Sequence, residues 1–285
     1  MTTQRPEQVH AALPKSVRIS IVTPTRNAAR FLRDCLESVA IQRIPNGSVE
    51  VEHLILDGGS QDETLAIASQ YDVRFLDRPL DMGLVPAICL GFEQATGDLV
   101  AFLGADDVLL PHALERVARV YQSERREVIF GRSRWVAADQ RSLGELSAFP
   151  RWCPAFMHAS MGWCYATASA TFVTPQIYRS LGGFDVSFTK LEDYEFVTRV
   201  LSRKIPFSTI QQPISLYRRH DDNESLQQDS TYWRDLDVIH QRYAPKNPWL
   251  RRGCEVLMKS WVYARNPAWA YHQLRGKFKK RKWIG

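Results

Sequence analysis

Asp106 and Asp107 close the segment Gly104-Ala105-Asp106-Asp107, directly after the apolar run Leu99–Leu103. A short apolar run of this kind reads as a buried strand. Adjacent carboxylates at the mouth of a strand are costly unless something cationic neutralises them. Hard divalent ions such as Mn2+ or Mg2+ take oxygen ligands and share them with substrate phosphates, so the pair suggests a metal–diphosphate site. It also suits a helix N-cap or a solvated turn, because Pro111 and Ala113–Tyr121 open a helical pattern. A second cluster is Glu192-Asp193-Tyr194-Glu195, followed by the helical face Phe196, Val197, Val200 and Leu201. Acids at a helix start are favoured by the dipole, yet three in four residues exceed what a cap requires. One of them is a candidate catalytic carboxylate. His220 follows the strand-like run Ile214–Arg219 and sits among Asp221, Asp222 and Glu224, which suits a metal ligand or phosphate donor as well as a structural histidine.

Positioning these groups requires elements that end together. Val17–Val22 reads as a strand stopping at Thr23-Pro24-Thr25-Arg26-Asn27, and Val51–Leu56 as one stopping at Asp57-Gly58-Gly59-Ser60. Between them Ala29–Ala40 has helical period, with Phe31, Leu32, Cys35, Leu36 and Val39 on one face. A helix over Glu63–Gln70 leads to a short strand, Val73–Leu76, and one over Pro86–Ala95 leads to Leu99–Leu103. Strands alternating with helices imply βαβ units and a mainly parallel sheet. Right-handed crossovers put the strand C-termini on one edge, where open α/β sheets bind ligands. Thr23, Asp57 and Asp106–Asp107 are therefore expected to converge.

Regular alternation stops after the strand Val128–Arg132. Residues 133–166 are rich in Trp, Pro, Ser and Gly, Trp163 among them, and read as irregular chain over a cleft. Thr167–Val173 resumes as a strand, Pro175 starts a short helix that Gly182-Gly183 ends, and Phe207–Ile210 and Ile214–Arg219 read as two further strands.

The ordered blocks Ile21–Asn27, Asp57–Thr64, Pro79–Gly83, Ala95–Asp98, Leu103–Asp107, Gly182–Asp185 and Glu192-Asp193 make residues 17–225 resemble glycosyltransferase family 2. The resemblance implies the inverting enzymes of the A-type glycosyltransferase (GT-A) fold: a Rossmann-like, mainly parallel central sheet flanked by helices. It implies that Thr23, Pro24, Thr25, Arg26 and Asp57 hold the nucleotide, with Asp81 and Gly83 flanking base and sugar. Asp106 and Asp107 stand at the end of the family's Asp-x-Asp element, contacting ribose and carrying Mn2+ or Mg2+, with His220 as a further metal or diphosphate contact. Asp193 corresponds to the base on the acceptor side, with Glu192 and Trp163 as acceptor-side or supporting residues. The first acid of Asp-x-Asp is Gly104 here, which leaves open which of Asp106 and Asp107 binds the ion. The chemistry agrees with these roles. A divalent ion stabilises the charge developing on a departing diphosphate, and a carboxylate takes the proton of the attacking hydroxyl. Direct attack from the opposite face inverts the anomeric centre.

With 285 residues and 45% hydrophobic content the chain can supply a sizeable core. No apolar run approaches the roughly 18 residues of a membrane span. Residues 1–16 read as a disordered lead-in, 17–225 as the catalytic domain and 226–285 as a helical extension. The five cysteines contain no CxxC pair and read as reduced thiols of a cytosolic protein. Residues 242–285 hold twelve Lys/Arg against one acid, a net +11, which leaves −5 on the rest of the chain. Asp229–Tyr243, Trp249–Arg265 and Pro267–Lys282 read as helices, the last two rich in aromatics. They suit either packing on the core with a solvated basic end or contact with an anionic membrane surface on the inner face, apt for a lipid-linked acceptor. No recognition motif for nucleic acid accompanies the charge.

The expected function is transfer of a sugar from a nucleotide-diphosphate donor, UDP being the family's commonest, to a saccharide or lipid-linked hydroxyl in surface polysaccharide or glycolipid assembly. A non-catalytic nucleotide-sugar-binding module is the alternative that Gly104 motivates. A sugar-nucleotide pyrophosphorylase would need a Gly-rich phosphate-binding stretch after the first strand, and Thr23–Asn27 lacks it.

Overall fold

A computed structural model describes residues 16–273 apart from 44–46, 48, 81, 222 and 224–226. In chain order the elements are β1 (Val17–Thr25), α1 (Ala29–Ala40), β2 (Val49–Asp57), α2 (Thr64–Ala68), β3 (Arg74–Phe75) and α3 (Leu84–Gln94). Then follow β4 (Leu99–Phe102), β5 (Val108–Leu109), α4 (Ala113–Glu124), β6 (Val128–Ala137), β7 (Ser142–Glu145) and α5 (Ala155–Ala159). The chain ends with β8 (Thr171–Val173), α6 (Pro175–Ser180), α7 (Glu192–Ser202), β9 (Phe207–Arg219), α8 (Ser230–Tyr243) and α9 (Pro248–Arg265). Residues 267–273 are helical as well.

The sheet runs β3-β2-β1-β4-β8-β6-β9-β5, with β7 paired to β6. The expected parallel half is present as β3-β2-β1-β4. Beyond it β8 is antiparallel to both β4 and β6, and β5 is antiparallel to β9, while β6 and β9 are parallel. The sheet is thus mixed, its longest ladders parallel and its antiparallel ones short, with helices flanking it.

The core lies on both faces of this sheet, which is why β4 is a continuous apolar run and why even Ser20 and Thr23 of β1 are buried. α1 buries Leu32, Cys35, Leu36 and Val39, as its period requires, but Phe31 is only half-buried. α3 approaches the sheet closely at Gly91, where a Cβ would come within 2.3 Å of Val22. Any larger residue there would push the helix off β1.

Three departures from the sequence pattern have local causes. Residues 133–145 are not irregular, because β6 continues to Ala137 and turns back as β7. The two runs either side of Pro213 form one strand, β9. Its pairing with β6 shifts register at Arg132, opposite Pro213, so the proline sits where no regular ladder bond is needed. Thr167–Val173 is a strand only from Thr171, residues Ala168–Ala170 forming a 3-10 turn.

Met258 and Val262 of α9, together with Trp269, join the same buried cluster as Val22, Leu56 and Phe130. Asn266 fixes the end of α9 on the hairpin side by accepting from the N–H of Ser147 at 2.6 Å. Residues 1–15, and the basic end 274–285, lie outside the described residues.

Candidate active site

β5 is antiparallel to β9 with Val108 opposite Leu216. This register sets the residues just before β5 against those at the end of β9, and so brings the two acids to Arg218 and His220. Asp106 and Asp107 then separate in function. Asp107 is buried and accepts from the N–H of Arg218 at 3.0 Å. Burial pushes its carboxyl well above the ordinary carboxylate range, and the adjacent Asp106 adds to this, while the Arg218 N–H works the other way. Asp106 is the accessible one. Its Oδ2 lies 3.0 Å from His220 Nε2 and accepts from Asn223 Nδ2 at 2.9 Å. The backbone N–H of His220 donates to Asn223 Oδ1 at 2.6 Å, which ties the loop together.

Gly104 gives Asp106 this room. A Cβ at 104 would lie 2.7 Å from Asp106 Oδ1. The side chain missing from the Asp-x-Asp position therefore leaves space that the Asp106 carboxylate occupies.

Below this cluster Arg218 is almost wholly buried. It donates to the Asp106 carbonyl at 2.9 Å and pairs with Asp34 at 2.6 Å. Phe31 lies under the Arg218 guanidinium at 4.6 Å and against the His220 ring at 4.8 Å. Its half-burial is explained, since it floors the site instead of filling the α1 core. Arg218, Asp34 and Asn223 did not stand out in the sequence. Asn223 lies in the polar run that follows His220, but its partner Asp106 is 117 residues away.

Asp57 presents a different picture. Thr25 is opposite it in the β1–β2 register. Asp57 Oδ1 accepts from Thr25 Oγ1 at 2.9 Å and Ser60 Oγ at 2.5 Å, and Oδ2 accepts from the N–H groups of Gly59 at 2.9 Å and Ser60 at 2.8 Å. Burial raises its pKa, but the bonds from Ser60, Thr25 and Gly59 outweigh that and hold it below the ordinary value. Four donors fill the acceptor sites of this carboxylate, and a nucleobase would reach it only by displacing one of them. Asp57 shapes the loop at the sheet edge. Asp57→Ala is therefore expected to lower unfolding stability by about 1.5–3 kcal/mol, read as a reduced denaturation midpoint. With a depressed folded pKa, the charge-linked part of this contribution is fully present above the ordinary carboxylate value and is lost as the pH falls from there through the lowered folded value.

Of the other residues expected at the nucleotide, Thr23 is fully buried. Its Oγ1 lies 3.0 Å from Nε2 of His53, an imidazole that burial depresses to about 3. Because β1 is covered on both faces, the Thr23 side chain turns into the core toward His53. Thr25 is buried too, bonded to Asp57. Pro24 is half-buried and Arg26 exposed, so these two present the turn to solvent. Gly83 adopts φ +81° ahead of α3, and its carbonyl accepts from Arg78 at 3.2 Å. Arg78 also donates to the Asp57 carbonyl at 2.9 Å. Asp81 lies outside the described residues.

Asp193 stands in the first turn of α7, half-buried. It lines an apolar pocket with Phe92, Phe102, Thr171, Phe184 and Phe196. Phe102 is the last residue of β4, four before Asp106. Burial raises the Asp193 carboxyl to about 6, against the opposing pull of the N–H groups of Tyr194 and Asp193 itself. Glu192 beside it is buried. Trp163 is half-buried and stacks on Trp269 with centroids 5.4 Å apart.

Among the described residues no three His, Cys, Asp or Glu side chains form a group able to hold a metal ion. Mg2+-like ions are commonly held by one or two carboxylates plus substrate phosphates. Asp106 with His220 fits such a shared site, and does not fit an all-protein cage.

The model of Glycosyl transferase family 2 matches residues 20–224. A PGL/p-HBAD biosynthesis glycosyltransferase of Mycobacterium bovis is 30% identical over 194 residues, covering 64% of this chain and 69% of the relative. Among solved structures, S. aureus TarS 1–349 in complex with UDP-GlcNAc superposes with a TM-score of 0.64 at 15% identity, over 87% of this chain and 73% of that one. The mannosyltransferase PcManGT of Pyrobaculum calidifontis, in complex with GDP-Man and Mn2+, gives 0.55 at 14% identity, over 95% and 79%. These two likenesses identify the fold as GT-A. Since the family match runs from β1 through the loop that carries His220 and Asn223, the chain belongs to glycosyltransferase family 2.

Proposed function

We propose that this chain is an inverting glycosyltransferase that moves a sugar from a nucleotide-diphosphate donor to a hydroxyl of a saccharide or lipid-linked acceptor. The observation that carries the reading is Asp193: a carboxylate raised to about 6, in a pocket that reaches the end of β4 just ahead of the Asp106–His220 pair. A general base works best with a pKa near the operating pH. Asp193 would take the proton of the acceptor hydroxyl as its oxygen attacks the anomeric carbon. Asp106 and His220 would face the donor diphosphate, with Asn223 orienting both. Arg26, Pro24 and the Gly83 turn would border the nucleotide. An ion such as Mn2+ or Mg2+, held by Asp106 and His220 together with the phosphates, would supply Lewis-acid stabilisation of the leaving diphosphate.

UDP is the preferred nucleotide. The UDP-GlcNAc complex of TarS supports it, and the GDP-Man complex of PcManGT supports the ion. Glycolipid or surface polysaccharide assembly is the proposed setting, in line with the named role of the mycobacterial relative.

Thermal-shift measurements with UDP, GDP and dTDP, each with and without Mn2+, test the donor half. A ligand at 100 times its dissociation constant stabilises by about 2.7 kcal/mol, and UDP with Mn2+ is expected to give the largest shift. No shift with any nucleotide would remove the donor assignment.

A further inference from the structure

α9 is apolar on two opposite sides. Cys254, Met258 and Val262 face inward and are buried. On the other side Trp249, Leu250, Val256 and Leu257 are 85%, 57%, 51% and 64% exposed. With Gly253 and Ser260 they form one helical stripe, spaced i, i+1, i+4, i+7, i+8 and i+11. The stripe is about 16 Å long and contains no charged residue. A Cβ at Gly253 would meet nothing within 4 Å, so its centre faces open space. Trp152, also exposed, stands edge-on to Trp261 at 5.4 Å and extends the apolar surface beyond the helix. The inward stripe alone satisfies the packing of an amphipathic helix, so the second stripe is surplus to the core, and a contiguous exposed apolar patch marks an interaction surface.

The charges beside the stripe indicate what covers it. Arg252 and Lys259 flank one edge, each 2.6 Å from Glu255, and Arg265 in the last turn lies over the Trp261 ring at 5.5 Å. Glu255 is the sole acid in the +11 segment 242–285, and residues 274–285 alone hold six Lys/Arg. A second copy of the chain is a poor cover. A two-fold interface opposes a surface to itself, and here that would bring two strongly basic segments together. An anionic bilayer matches both features, because its headgroups attract Lys and Arg while Trp and Leu enter the boundary layer.

We propose that the outward face of α9, with Trp152, docks this protein on an anionic lipid bilayer, the helix lying in the headgroup plane. The docking stands apart from the glycosyl-transfer reading and is tested without turnover. The full chain is incubated with vesicles of phosphatidylcholine, with and without phosphatidylglycerol, and sedimented. The wild type is expected to bind the anionic vesicles at low salt and to be released as salt rises. The double variant Trp249→Ser, Leu257→Asp is expected to lose on the order of tenfold in partitioning. Val186→Asp, which changes an equally exposed apolar residue of a loop, is expected to bind like the wild type. Unchanged melting temperatures for both variants would show that the fold survives, since all three side chains face solvent. Three results would each overturn the proposal. One is equal partitioning of wild type and double variant. Another is equal binding of the wild type to neutral and anionic vesicles. The third is a wild-type oligomer, seen by sedimentation velocity, that the double variant dissociates while neither binds vesicles.

Discussion

Asp193→Asn is expected to lower turnover by about 10²–10⁴-fold while leaving nucleotide affinity nearly unchanged. The amide keeps the shape of the carboxylate but cannot accept the acceptor's proton. The pocket that Asp193 lines with Phe92, Phe102 and Phe184 survives the change, so the effect falls on kcat rather than on stability. The pH dependence carries the sign of the proposed role. Burial raises the Asp193 carboxyl to about 6, and the base form is the ionised one. Wild-type kcat/KM is therefore expected to fall roughly tenfold per pH unit below that value, and the variant to lack this acid limb. A variant that loses donor binding in parallel with turnover, or that keeps the limb, would make Asp193 structural or a donor ligand.

The second large effect concerns the two adjacent acids, which should behave differently. Asp106→Ala removes the carboxylate that faces His220 and Asn223. It is expected to abolish the Mn2+-dependent part of UDP binding and to lower turnover on the order of 10³-fold, with the melting temperature little changed. Asp107→Ala removes a buried acceptor and leaves the N–H of Arg218 without its partner. That change is expected to cost about 1–3 kcal/mol of stability, visible in denaturant unfolding. Nucleotide titrations by calorimetry, with Mn2+ and with chelator, alongside unfolding curves, separate the two. If Asp107→Ala keeps full stability and loses the ion effect instead, the assignment is reversed. Undiminished wild-type activity in chelator would dismiss the ion altogether.

Much of the fold was legible because its signals are local. The helical period of Ala29–Ala40 places Leu32, Cys35, Leu36 and Val39 in the core whatever surrounds them. The continuous run Leu99–Phe102 marks a strand covered on both faces. The antiparallel half was less legible. β5 and β8 are two and three residues long, and β6 carries Arg132, Ser133 and Arg134, so none shows a period. Pro213 suggests a break within β9, but the partner strand absorbs it by shifting register. That compensation is a property of the pair and is written in neither segment alone.

The same division holds at the site. The sequence alone determined which residue types stand at which strand ends: Asp57 closing β2, Asp106–Asp107 after β4, Asp193 in the first turn of α7 and His220 after β9. Those placements follow from chain order and from the rule that crossovers gather strand ends on one edge. Tertiary structure decided which way each side chain turns. The β5–β9 register buries Asp107 against the backbone of Arg218 and leaves Asp106 to His220, across 111 and 114 residues of chain. The cover on both faces of β1 takes Thr23 into the core with His53, and the β1–β2 register fills Asp57 with donors from Thr25, Gly59 and Ser60. In α9 both apolar stripes are visible in the sequence, but which of them meets the core depends on where the rest of the chain presents its own apolar surface. Burial and hydrogen-bond saturation are set by neighbours remote in sequence, and no local pattern encodes them.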